Sequence, residues 1–302
     1  MKLLYSDQFV LPLPDGHRFP MVKYRMLREG LSQLEGFLLE EAPLATRSEI
    51  LLAHESDYVE RVFSGQITLA EQREIGFPWS PEMVERSCRS AGATIAACQT
   101  ALIEGVAANL AGGTHHAYAH KGSGFCVFND SVIAARVIQK EVLKDIERLL
   151  QVLVIDLDVH QGDGTASILE GDDSIFTFSM HAQRNYPFQK EKSDLDIALP
   201  DQCGDMDYLD LLAQGLKEVD QRFMPELIIY LAGADPYEGD RLGRLSLSMS
   251  GLFQRDQYVF NWARDRHIPV AITMAGGYAH QIQETVAVHA QTIKTARGYQ
   301  WV

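Results

Sequence analysis

A chain of 302 residues, 46% of them hydrophobic, is long enough to bury a sizeable core and has the composition of a globular protein rather than a disordered or fibrous one. Its formal net charge of −14 excludes phosphate-backbone binding as the main activity; the acidic surplus reads as a solvated surface, one that favours cationic ligands such as lysine-rich peptides or polyamines. The four cysteines, Cys88, Cys98, Cys126 and Cys203, lie far apart without a C-x-x-C pair, so neither structural zinc nor a disulfide framework is implied.

At the N-terminus, the apolar run of MKLLYSDQFVLPLPDGH is too short for a signal peptide and is interrupted by Asp7. No stretch approaches the roughly 18 apolar residues of a membrane span. A cytoplasmic protein with no nucleic-acid or membrane partner is therefore expected. The clearest helix covers 81–104, where Val84, Cys88, Ala91, Ile95, Cys98 and Leu102 form one apolar stripe. Ser80 can cap it, Pro81 suits its first turn and Gly105 can end it. A strand at 106–110 and a helix near 129–142 follow. Further strands are expected at 152–156 (VLVID), 175–179 (IFTFS), 227–232 (LIIYLA) and 270–274 (VAITM). Between and after them lie helices at 207–223, near 250–265 and near 281–296, the first carrying Tyr208, Leu211, Leu212, Leu216, Val219 and Phe223 on one side.

Most of these strands are continuous apolar runs, the pattern of strands buried on both faces. Their alternation with helices predicts an α/β fold, a mostly parallel multi-stranded sheet flanked by helices on both faces. With no repeat, low-complexity segment or linker, residues 1–302 are read as a single domain. Five strands run straight into polar or glycine-rich segments: GGTHH at 112–116, DLDVH at 156–160, SMH at 179–181, GAD at 233–235 and GGY at 276–278. In an open parallel sheet ligands bind outside the carboxyl ends of the strands, so these segments can converge on one site.

On an extended segment Asp156, Asp158 and His160 project to one side. Carboxylate with imidazole suits a borderline divalent metal such as zinc, against the alternative of a surface acidic loop. Asp235, at the end of LIIYLAGA, needs a partner if buried: a shared metal, a helix end or a salt bridge. Two aspartates and one histidine leave a coordination position open for water, as catalytic sites do. The adjacent His115 and His116 follow a glycine turn, and imidazole titrates where it can take and return a proton. Asp156 and Asp163 are the carboxylates available to fix their tautomers. Tyr278, after Gly276-Gly277, can aim a hydroxyl at a developing oxyanion. Cys126 reads as a buried thiol, Ser123 is not in a nucleophile elbow, and the glycines at 112–113 and 162–164 match no nucleotide fingerprint.

Taken together, GGTHHA at 112–117, GSGFCVFND at 122–130, DLDVHQGDGT at 156–165, GADPYEGDRLG at 233–243 and AGGY at 275–278 resemble the histone deacetylase family, on the arginase–deacetylase fold. HRFPMVKY at 17–24 and IGFPWSPEMVERS at 75–87 look most like the compact class IV type and its bacterial relatives. The resemblance implies zinc, with ferrous iron as alternative, on Asp158, His160 and Asp235. It pairs His115 with Asp156 and His116 with Asp163, His116 being the principal general base and acid, and makes Tyr278 the transition-state tyrosine. It also implies tunnel walls at Gly124, Phe125 and Tyr186, and a structural potassium ion at Asp156, Asp158, His160, Ser179 and Met180. Lys23 departs from it, standing near where many relatives place an arginine by an acetate-release channel. No counterpart of the rim aspartate that grips the substrate backbone is found. The expected activity is hydrolysis of an N-acyl amide, on an acylated lysine of a peptide or protein or on an acylated amine. The alternatives are an acetylpolyamine-type amidohydrolase, a two-metal arginase-like enzyme and a non-catalytic acyl-lysine binder.

Overall fold

A computed structural model describes residues 1–301 and, within them, every side chain except those at 144 and 146. Eight strands form one parallel sheet in the order β2-β1-β3-β8-β7-β4-β5-β6. The central strands are β3 (Val106–Asn109), β4 (Val152–Asp156), β7 (Leu227–Leu231) and β8 (Val270–Thr273), all fully buried. Along β4 and β7 successive residues enter opposite cores. Val152, Val154, Leu227 and Ile229 pack on one face, Leu153, Ile155, Ile228 and Tyr230 on the other. Both faces are covered, which is why these strands carry no polar alternation.

One face is covered by α5 (Pro81–Glu104) and α6 (Asp130–Ile146), the other by α1 (Val22–Ser32), α8 (Asp205–Arg222), α9 (Met249–Asp265) and α10 (Ile282–Arg297). The α5 caps are as expected: the Ser80 side chain accepts from the Met83 amide and Gly105 ends the helix. Smaller helices α2 (Arg47–Ile50), α3 (Ser56–Ser64), α4 (Leu69–Ile75) and α7 (Asp163–Ile168) complete the layers. No helix among the described residues is long and apolar enough to cross a membrane. All four cysteines are free and buried.

Two expectations need correction. Strand β5 runs Ile175–Ala182, so Ser179, Met180 and His181 lie within it rather than beyond its end. They stay paired because the neighbouring edge strand β6 (Leu195–Leu199) continues the ladder, His181 facing Ala198. Conversely, β4 stops at Asp156, and 158–160 form a bend rather than an extended segment. The Asp158 carboxylate accepts from the His160 amide at 2.9 Å, a local turn that aspartate favours over extended backbone. Asp158 and His160 are therefore brought together by a bend, with His160 Nδ1 2.9 Å from Asp158 Oδ1, rather than by the alternation of a strand.

Candidate active site

The carboxyl ends of β3, β4, β7 and β8 open onto a cavity of about 620 Å³ lined by His115, His116, Gly124, Phe125, Asp158, His160, Tyr186, Asp235 and Tyr278, among others. After β3, Gly112 and Gly113 take positive φ (77° and 74°), turning the chain so that His115 and His116 face the cavity. The turn is organised by Asp130, fully buried at the first position of α6. Its carboxylate accepts from the Gly113 and Thr114 amides (3.0 and 2.7 Å) and from the hydroxyls of Thr94 and Thr114 (both 2.6 Å).

At the floor, Asp158, His160 and Asp235 bring one ligand atom each within 4.8 Å of one another; among the described residues this is the one such cluster of three. Asp158 Oδ2 accepts from the Gly276 amide at 2.7 Å and Asp235 Oδ1 from the Val159 amide at 2.9 Å, so the loops after β4, β7 and β8 are tied together through these two carboxylates. A Cβ at Gly276 would stand 1.9 Å from Asp235 Oδ2, so only glycine permits this approach. Asp235 Oδ2 itself is buried without a hydrogen-bond partner. Burial together with the charge of Asp158 pushes the Asp235 carboxyl up to about 7. Burial also opposes the Asp158 charge, yet His115 and His160 hold that group well below the usual carboxylate range. An orphaned buried oxygen beside a second carboxylate and an imidazole is the donor set of a divalent cation, and the residues fit one.

The tandem histidines lie above this cluster with ring centroids 4.1 Å apart. His115 Nδ1 donates to Asp156 at 2.7 Å, and His116 Nδ1 to Asp163 at 2.6 Å. Both rings are buried, which alone would keep both neutral; their neighbours separate them. Against burial, Asp156 and Asp158 raise His115 to about 9. For His116 burial and the adjacent charge of His115 outweigh Asp163 and lower it to about 4. The same two surroundings therefore push the two imidazoles in opposite directions.

Two segments form the wall. Ser123–Cys126 is a tight turn with Gly124 and Phe125 both at positive φ (53° and 66°), its ends bonded Ser123 N to Cys126 O at 3.0 Å. The Phe125 ring packs on Phe19 (5.2 Å) and Phe77 (5.4 Å), and on Tyr278 (6.1 Å). Opposite, Tyr186 stands edge-on to His116 at 4.9 Å and its hydroxyl bonds Ser123. The backbone of Tyr278 is fixed by its amide to Asp240 (2.6 Å) and by Arg241 Nε to its carbonyl (2.9 Å). Behind it Lys23, buried, sends Nζ to the Gly277 carbonyl at 3.3 Å and lies 5.2 Å from the Tyr278 ring.

All eight residues expected to be catalytic or metal-binding, and the three wall residues, therefore meet at one place. Of the residues expected at a monovalent cation, Asp156 and Ser179 are direct neighbours across β4 and β5. The Ser179 hydroxyl bonds His181 Nδ1 at 2.9 Å, and the Met180 side chain is in the core. Several site residues escaped the sequence reading. Asp130 lay inside a quoted motif, but nothing in its spacing shows that it holds the turn of 112–114. Tyr118 donates to the second oxygen of Asp163 at 3.0 Å. Arg18, Phe19, Tyr24, Arg73, Arg184, Asn185 and Arg244 also line the cavity. Only the tertiary fold brings them there.

The comparisons concern the family and the fold. The histone deacetylase domain profile matches residues 16–293. An uncharacterized protein of a Picosynechococcus strain is 43% identical over 299 residues, covering 98% of each chain. Histone deacetylase 2 of Arabidopsis thaliana is 32% identical over 267 residues, covering 84% of this chain and 67% of its own. The crystal structure of a histone deacetylase homologue from Aquifex aeolicus superposes with a TM-score of 0.82 at 23% identity, over 98% of this chain and 83% of that one.

Proposed function

The chain belongs to the histone deacetylase family, and from that premise we propose that it hydrolyses an N-acyl amide of the acyl-lysine kind, releasing a carboxylate and a free amine. The observation that carries this reading is the pair of adjacent buried imidazoles, each hydrogen-bonded through Nδ1 to its own carboxylate, Asp156 and Asp163, set over three converging side chains that can ligate a metal. A binder needs a shaped cavity; it has no use for an acid–base pair.

Asp158, His160 and Asp235 would hold a divalent cation, zinc or alternatively ferrous iron, which would supply Lewis acidity and lower the pKa of water toward about 7. The chain's own residues do the rest. His116, neutral, accepts the proton of the attacking water at Nε2, while its Nδ1 proton stays on Asp163, which fixes the tautomer. His115, held by Asp156 through Nδ1, stands beside the reacting centre with its ring against that of His116. Tyr278, whose hydroxyl burial raises well above its ordinary pKa, stays protonated and donates to the oxyanion of the tetrahedral intermediate. The intermediate collapses as His116 returns its proton to the leaving amine. Phe125 and Tyr186 flank the acyl-lysine stem and exclude water from it. Asp156, Asp158, His160, Ser179 and Met180 would hold the potassium ion of this reading, which is supported by the β4–β5 pairing of Asp156 with Ser179.

The deciding experiment is turnover of a panel of acyl-lysine peptides, acetyl through long-chain, by protein of measured metal content. Release of free lysine that follows metal occupancy supports the reading. A metal-replete protein that binds acyl-lysine without turning over any member is a binder, and the reading is wrong.

A further inference from the structure

The chain carries 41 acidic residues against 27 lysines and arginines, yet the mouth of its cavity has the opposite sign. Four exposed arginines line it, Arg18, Arg73, Arg184 and Arg244, and the one exposed carboxylate among the lining residues, Glu74, is already paired with Lys121 at 2.6 Å. The arginines come from four separate segments: the loop before α1, the last turn of α4, the loop after β5 and the loop at 240–247. Arg184 and Arg244 share a single aspartate, Asp201, at 3.5 and 3.1 Å. Arg18 and Arg73 make no ion pair among the described residues, and the Arg18 guanidinium lies 5.0 Å over the Phe125 ring, holding it at the wall. Beside them Phe188 is 87% exposed.

We propose that this arginine rim selects acylated lysines that sit in acidic peptide segments, a proposal that rests on the deacylase reading above. Guanidinium forks match carboxylates bidentately, and a cleft lined by one sign of charge raises the local concentration of the opposite sign. The negative charge belongs to the residues flanking the acylated lysine. The stem fills the cavity and its acyl end reaches a floor that already holds Asp158 and Asp235, whereas the arginines meet what remains outside. An exposed phenylalanine at the same mouth gives a polypeptide carrier apolar surface to cover. A polyamine, whose further ammonium groups would have to lie among four guanidinium groups, is disfavoured.

The test measures kcat/KM on metal-replete full-length enzyme for three acetyl-lysine peptides that differ only in flanking residues, all Glu, all Ala or all Lys, together with an acetylated polyamine. The Glu peptide is expected to exceed the Lys peptide by about tenfold or more, since several weak exposed pairs act together, and the ratio should shrink at 0.5 M salt to roughly a few-fold. In Arg18→Glu/Arg73→Glu the ratio should fall or invert, with the thermal midpoint showing that the variant is folded. Equal rates on the three peptides, or preference for the Lys peptide or the polyamine, overturns the rim proposal while leaving the deacylase reading intact. No turnover on any substrate overturns that reading and the rim proposal with it.

Discussion

At the floor of the cavity each carboxylate is fixed by backbone: Gly276 N–H holds Asp158, Val159 N–H holds Asp235, and both side chains are essentially without solvent contact. At the rim, Arg18, Arg73, Arg184 and Arg244 are exposed; among the described residues Arg18 lies on a ring face and Arg184 and Arg244 share an aspartate. The floor is built where strand ends are rigid and the dielectric is low, so every charge there is strong, dear to desolvate and fixed in place. The rim is built on loops, where a charge costs little and can be exchanged without touching the core. On the proposed reading, chemistry resides in the part that tolerates no change, and choice of substrate in the part that does.

The sharpest break of this comparison is Asp235→Ala. It should remove metal retention and turnover together, losing more than the roughly 10–100-fold in affinity or activity that follows loss of an outer partner of a metal ligand; zinc content after dialysis and deacylation rate report it. His116→Ala should lower kcat by about 10²–10⁴ and Tyr278→Phe by about 10²–10³, each with metal content unchanged. Near-normal turnover in either variant removes that residue from the mechanism. Gly276→Ala, a single methyl placed against Asp235 Oδ2, should weaken metal binding by roughly 10–100-fold in a protein that still folds. A rim substitution such as Arg184→Ala should move stability by no more than about 0.5 kcal/mol, which thermal melts will show.

A pH series sharpens the contrast from the stability side. His54, buried under the loop that carries the tandem histidines, donates from Nδ1 to the Tyr118 carbonyl at 3.0 Å and accepts at Nε2 from the Asn129 amide at 2.9 Å. Burial lowers it to about 4 from an ordinary 6.5. The unfolded chain therefore takes up a proton before the folded one does. The stability this neutral histidine contributes is whole above pH 6.5 and is lost as pH falls toward 4, roughly 3 kcal/mol at the limit. His54→Gln should flatten the fall in thermal midpoint between pH 7 and pH 5 relative to the parent protein. An unchanged slope would show that His54 does not titrate in this window.

How far the sequence reaches is clearest in particular elements. Helix α5 was readable to the residue, because 24 residues give its stripe many repeats and Ser80, Pro81 and Gly105 mark its ends. Strands β4 and β7 were readable as apolar runs buried on both faces. Strands β1 (Lys2–Tyr5) and β2 (Leu38–Glu41) were not: only Leu3 and Leu4 of β1 are buried, and the glutamates of β2 belong to an edge that faces water. The bend at 158–160 was missed because a side-chain-to-backbone hydrogen bond, rather than any hydrophobic pattern, ends the strand there.

By itself, then, the sequence determined the chemical alphabet of the site and the layer that would carry it. Asp158, His160, Asp235, His115, His116 and Tyr278 each stand just after an apolar run, and apolar runs become buried parallel strands whose ends share one side of the sheet. The tertiary structure decided everything that depends on distance between segments remote in sequence. It gave the adjacent imidazoles different surroundings that shift them in opposite directions, because Asp156 and Asp158 face one while burial and its neighbour's charge act on the other. It also turned an acidic chain's cavity into one with an arginine mouth. Net charge is a sum over residues, whereas the field a substrate meets depends on which of them the fold brings within a Debye length of the opening.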